Sequence, residues 1–179
     1  MITTLLLIGG CSANENTNES DKVIINDEQK VKYDGKPLNI GVIGEVPSKT
    51  FGNVTFYSTE PVSLKKEEYD AYFITDQYFD VLSEDEWKPI FKNIKTPVFF
   101  INNDVEAFIY RVEGMTYHEN SPQATMNTNG FVRNGDEYRT FGYGNPSETT
   151  DVNDTPEWIF NSIFRDIEEY LQKESLLNN

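Results

Sequence analysis

Few side chains in this sequence stand where they could do chemistry. Glu45 follows the apolar run 38–44, Asp76 follows the run 70–75, and Asn102-Asn103-Asp104 closes the run 97–102. If those runs are neighbouring strands, Glu45, Asp76, Asn103 and Asp104 form an oxygen-rich crevice suited to Mg²⁺, Ca²⁺ or a ligand amine. The same residue types also serve as ordinary helix caps, Asp76 ahead of Gln77 and Asp104 ahead of Val105, with Glu45 solvated. His118 is the single histidine, and a Ser–His–Asp triad would need it as its base. It lies in the polar stretch 115–122, without a Gly-x-Ser-x-Gly elbow, so a surface histidine is the plainer reading and the catalytic residues are unassigned. Gly41-Val-Ile-Gly44 lacks the third glycine of a dinucleotide fingerprint, and no Gly-Lys-Ser/Thr sequence offers a phosphate loop. Asp151-Val-Asn-Asp154 begins like a calcium loop but lacks the central glycine and the distal glutamate.

The elements that must position these groups follow from apolar patterning. Residues 38–44, 54–58, 70–75 and 97–102 read as strands with continuous apolar character, expected of a parallel sheet covered on both faces. Ser83-Glu84-Asp85-Glu86 has the form of a capping box, followed by Trp87, Ile90, Phe91 and Ile94 at helical spacing. Thr155-Pro156 opens a last helix whose stripe is Phe160, Ile163, Phe164, Ile167 and Leu171, with Asp166, Glu168 and Glu169 outside. A weaker helix is expected over 105–112. Residues 131–143 read as a hairpin, with Asn134-Gly135 suited to a type I′ turn. Its Phe131, Tyr138, Phe141 and Tyr143 either cover the sheet or leave an aromatic face for a peptide, glycan or protein partner. The expected architecture is an α/β/α three-layer sandwich: a mostly parallel sheet with an antiparallel hairpin near the C-terminal end. The connection between the first two strands is short for a crossover, so a single helical turn or an irregular loop is expected there.

Composition removes several function classes. The chain of 179 residues carries 30 acidic and 15 basic residues, a net charge of −15. A surface this negative repels nucleic-acid backbones, so no nucleic-acid partner is expected, and the charge is read as solubility and stand-off. One cysteine and one histidine exclude disulfides, thiolate zinc sites and histidine metal clusters. No metal and no cofactor is expected.

The single cysteine, Cys11, has a different use. Residues 2–10 are a short apolar run ending Ile8-Gly9-Gly10, directly before Cys11. The run is too short to span a bilayer, which takes roughly 20 residues, but it is long enough for a signal peptide. Ile8-Gly9-Gly10-Cys11 resembles the lipobox of bacterial lipoproteins, although no Lys or Arg precedes the run. The resemblance implies removal of residues 1–10 and a multi-acylated, palmitate-type modification of Cys11. Several acyl chains anchor a protein stably without a basic patch. Residues 12–21 contain no large apolar side chain and are expected to stay disordered. The expected organisation is a signal peptide at 1–10, a lipidated and flexible tether at 11–36, and one α/β domain at 37–175. A coil of about 25 residues spans roughly 25–30 Å, enough to hold the domain clear of the head groups. The globular part suggests no known family. The expected function is a membrane-anchored, extracytoplasmic binding or accessory lipoprotein of the cell envelope, whose partner is a small ligand or an envelope protein. The alternative is a lipid-anchored hydrolase using the strand-end carboxylates.

Overall fold

A computed structural model describes residues 32–118 and 122–177. The expected lipobox with Cys11, and the expected tether up to residue 31, lie outside the described residues. Six strands, β1 (Leu38–Ile43), β2 (Val54–Thr59), β3 (Ala71–Ile74), β4 (Val98–Phe100), β5 (Thr128–Asn134) and β6 (Glu137–Tyr143), form one sheet in the order β2-β1-β3-β4-β5-β6. The first three pairings are parallel and the last two antiparallel, as the patterning led one to expect. Three α-helices, α1 (Phe79–Leu82), α2 (Lys88–Asn93) and α3 (Glu157–Leu177), complete the frame with several 3₁₀ turns.

The inner strands β3 and β4 are apolar throughout because both of their faces are covered, whereas the edge strands β2 and β6 leave residues exposed. Ala71 and Phe73 of β3 face α3, whereas Tyr72 and Ile74 face the layer built from α1, α2 and the 3₁₀ turns. On the first face, Phe160, Ile163, Phe164 and Ile167 of α3 are fully buried, and Phe164 stacks on Phe73 with ring centroids 6.3 Å apart. On the second, Phe100 of β4 stacks on Tyr110 at 3.9 Å, and Phe91 of α2 packs edge-on against Tyr110. The hairpin aromatics divide by register: Phe131 and Tyr138 join the second face, Phe141 and Tyr143 the first. They cover the sheet. Tyr33 is also part of the core, with its ring on Phe164 and its backbone N–H donating to Asn161 Oδ1 at 2.6 Å.

The connection 44–53 between β1 and β2 is an irregular loop, one of the two forms expected there; Val46 and Phe51 close it by packing onto the α3 face, with the Phe51 and Phe164 ring centroids 4.9 Å apart. Other local expectations change. The capping box does not form. Ser83 is fully buried at the end of α1, where its Oγ donates to Asp80 O at 2.7 Å and accepts from Tyr117 N–H. Tertiary contact thus claims the hydroxyl that would have capped the next helix, and α2 begins only at Lys88 after a 3₁₀ turn, Asp85–Trp87. The hairpin turn is Gly135-Asp136, because Asn134 pairs with Glu137. Gly135 has φ +61° and leads the turn, the pattern of type II′ and not I′. The weak helix expected over 105–112 is a 3₁₀ turn, Ala107–Arg111.

Candidate functional site

Strand order reverses between β1 and β3, and ligands of such sheets bind beyond the carboxyl ends at that point. Here that gap is bridged by the protein itself. Thr75, fully buried after β3, accepts a hydrogen bond on Oγ1 from Glu45 N–H at 2.8 Å, and Ile43 O lies 3.5 Å from the same hydroxyl. The backbone can approach this closely only because Gly44, at φ +108°, has no side chain; a Cβ there would sit 2.1 Å from Thr75 Oγ1. Gly44→Ala is therefore expected to lower stability by about 1–3 kcal/mol through strain and loss of the bridge. An unchanged denaturant midpoint would contradict this account of the gap.

The Glu45 carboxylate is engaged in the same closure. Its Oε1 accepts from Asn153 Nδ2 at 2.8 Å, and Asn153 Oδ1 accepts from Ser48 N–H at 2.9 Å. Asn153 is held in turn by Asp151, whose Oδ1 accepts its N–H at 2.7 Å, and the Asn153 carbonyl accepts from Lys49 Nζ. The segment that begins like a calcium loop is thus a polar clasp over the end of β1. Asn102 ties β4 into it. At φ +53°, a conformation asparagine tolerates, its Nδ2 donates to Asp151 O, and its Oδ1 accepts from Asn127 Nδ2 and Ser147 Oγ. Asn103 is buried and turned inward, its Nδ2 donating to Val105 O and its Oδ1 3.5 Å from Asn129 Nδ2.

Asp76, Asp104 and His118 come together on a different, open patch around Tyr117. The Tyr117 hydroxyl donates to Asp104 Oδ1. Burial chiefly raises its pKa, with Asp104 and then the charges of Asp76 and Asp80 adding to the effect. His118 Nε2 lies 3.3 Å from Asp80 Oδ2, with most of both side chains in solvent. Among the described residues, Asp76 Oδ1 accepts only the adjacent Gln77 N–H. Sequence reasoning placed Glu45 with these aspartates, but the structure gives Glu45 to the Asn153 clasp. Among the described residues no three His, Cys, Asp or Glu side chains converge to hold a metal ion.

No protein-family model, curated protein or solved structure matches this chain. Its functional reading rests on the residues themselves.

One feature carries no signal in the sequence. A groove of about 330 Å³ runs across the face of β5 and β6, lined by Phe108, Arg111, Met126, Thr140 and Gly142 among others. Phe108 and Met126 are large apolar side chains left exposed there, at 39% and 40%. The Arg111 guanidinium lies 4.0 Å from the Tyr138 ring centre and 4.4 Å from that of Phe131. Burial pulls its pKa below the usual arginine value, Tyr138 acting the other way. Its Nε is buried without an acceptor, and among the described residues no carboxylate pairs with it. A lone arginine within Ala107-Phe-Ile-Tyr-Arg111 gives no periodic pattern, because a 3₁₀ turn sets its direction and two distant strands supply its rings.

Proposed function

We propose that this protein is a membrane-anchored, extracytoplasmic lipoprotein of the cell envelope that acts as a binding or accessory module. The anchor is read from Ile8-Gly9-Gly10-Cys11 and the polar stretch that follows it. The observation that carries the binding reading is the fate of the strand-end carboxylates. Glu45 is used up in the Asn153 clasp, and Asp104 and Asp76 sit on an open patch with separate partners. Acid–base hydrolysis needs carboxyl groups convergent on one water-excluding cleft, with their pKa values pushed apart. This arrangement favours binding over hydrolysis, and the groove beside Arg111 offers a place for it.

The anchor is tested by mass spectrometry of the protein from its native host. The expected result is loss of residues 1–10 and a mass increment on Cys11 equal to a diacylglycerol, with or without a further acyl chain. An unmodified Cys11 in a chain that retains residues 1–10 would overturn the lipoprotein assignment.

A further inference from the structure

We propose that the groove across β5 and β6 binds the C-terminal end of an extended peptide, with Arg111 taking the free carboxylate and Phe108 and Met126 flanking an apolar terminal side chain. The inference rests on the reading of this domain as a binding module. Three observations meet at the groove.

The first is the unspent cation. Arg133 and Arg139 each face a carboxylate, Arg133 with Asp136 at 3.8 Å and Arg139 with Glu169 at 3.4 Å. Arg111 has aromatic faces but no anion among the described residues, in a chain with twice as many acids as bases. Close approach to two ring centroids holds the guanidinium in place, and a planar fork so held is suited to a carboxylate. The acid that lines the groove, Glu106, is engaged elsewhere: its Oε1 accepts from both the N–H and the Oγ1 of Thr125 at 2.8 Å.

The second is the open edge. β6 ends the sheet. A two-residue turn makes Asn134 and Glu137 a hydrogen-bonded pair, and alternation then points the N–H and C=O groups of Tyr138, Thr140 and Gly142 away from β5. Those groups form a template for a further strand. The third is the floor. Thr140 and Gly142, on that same strand, line the groove, and Gly142 adds no side chain. A strand added at β6 can therefore place alternate side chains against Phe108 and Met126. Main-chain pairing supplies affinity, the apolar groove selects a side chain, and Arg111 selects a chain terminus.

The test uses the full-length, isotope-labelled protein and two probes, acetyl-Ala-Gly-Val-Leu with a free carboxylate and the same peptide as its amide. Amide chemical shifts are followed up to about 10 mM peptide, which covers binding in the millimolar range. The expected result is saturable change in the amides of Phe108, Arg111, Thr140 and Gly142 with the acid, and binding of the amide weaker by about tenfold or more. Arg111→Gln should reduce the acid to the level of the amide. Thr140→Pro, at a position whose N–H faces outward, should weaken both peptides while sparing the β5 ladder. Absence of any shift, equal binding of acid and amide, or shifts confined to another surface would each overturn the proposal. The acid–amide comparison is made on the unmutated protein, so it decides the matter even if a variant fails to fold. Failure here would leave the lipidation result at Cys11 untouched, and an unlipidated Cys11 would leave groove binding untouched.

Discussion

Replacing Lys88 by methionine is expected to destabilise the protein by about 3–5 kcal/mol, lowering its melting temperature by roughly 10 °C. Lys88 is fully buried, yet it faces no carboxylate in the core. Its Nζ donates to three backbone carbonyls: Ser83 at 2.5 Å, Ile109 at 2.7 Å and Met115 at 2.6 Å. Each carbonyl belongs to a different piece of one layer: the end of α1, the 3₁₀ turn Ala107–Arg111, and the loop that follows it. An ammonium has three donors, and all three are used. Methionine keeps the length of the stem but leaves three carbonyls without that partner, each costing about 1–3 kcal/mol where water cannot reach it. Burial lowers the Lys88 pKa, while Asp85 and Glu84 nearby oppose the shift. Equilibrium urea unfolding of the variant checks the expectation. A loss below about 1 kcal/mol would mean that water or a shifted backbone satisfies those carbonyls instead.

The second large effect is alkaline. Stability is expected to fall steeply above about pH 10, the ordinary ionisation range of tyrosine. Tyr110 is fully buried and donates to Phe79 O at 3.0 Å; burial raises its pKa well above the usual value, with Tyr117, Asp104 and Asp80 adding to it. Tyr143 donates to Asp166 Oδ2 at 2.6 Å, and burial followed by the Asp166 charge raises its pKa too. Tyr170 is pushed up to about 12 by burial and by Glu174 and Glu67. Below the unfolded value every one of these hydroxyls is protonated in both states, and its contribution is fully present. Above it the unfolded chain releases protons that the folded chain retains, so stability declines with rising pH until the folded values are reached. Tyr110 and Tyr143 together should cost about 3 kcal/mol by about pH 11. Lys88 acts in the opposite sense, because its lowered pKa makes stability rise with pH below the ordinary lysine value of about 10.5. Unfolding free energies measured from about pH 9 to 11, with tyrosinate absorbance as the reporter, test the balance. A flat profile, or a slope unchanged in Tyr143→Phe, would refute it.

Lys88 and the Tyr110 part of the alkaline effect share an origin. The layer over the second face of the sheet is made of short pieces, none longer than the six residues of α2. Helices this short are marginal on their own. Polar anchors at their ends, Lys88 Nζ and the Tyr110 hydroxyl, supply what longer helices would get from their own ladders. On the opposite face α3 runs 21 residues with a continuous apolar stripe, and the Tyr33 and Tyr143 hydrogen bonds are made to that single long helix.

That contrast also marks how much could be read in advance. The strands at 38–44, 70–75 and 97–102 were legible because short runs of Val, Ile and Phe suit a sheet covered on both sides, while 54–58 forms the edge strand β2 and leaves Thr55, Tyr57 and Ser58 exposed. The same holds for α3, whose stripe and proline start are local signals. The capping box at Ser83 misled. Its residue types are right, but the hydroxyl is worth more in the core, between Asp80 O and Tyr117 N–H, than at the start of α2. The candidate site was legible only as a set of acidic residues after strands. Chain order says which residues follow a strand, and it does not say which of them a distant turn will claim. Asn153 claims Glu45 across more than a hundred residues.

Composition and local pattern therefore determined the sheet, its layers, the acidic character and the lipobox-like Cys11 segment, because each depends on neighbours within a few positions. Tertiary structure alone decided that the switch point is sealed by Thr75 and Gly44, and that Asp76, Asp104 and His118 share a patch from which Glu45 is absent. It also decided that Arg111 rests on two aromatic faces, without a carboxylate among the described residues, beside an open strand edge. The physical reason is the same in each case. A hydrogen bond or a stacked ring is set within a few ångströms by groups far apart in the chain, and no local pattern carries that distance.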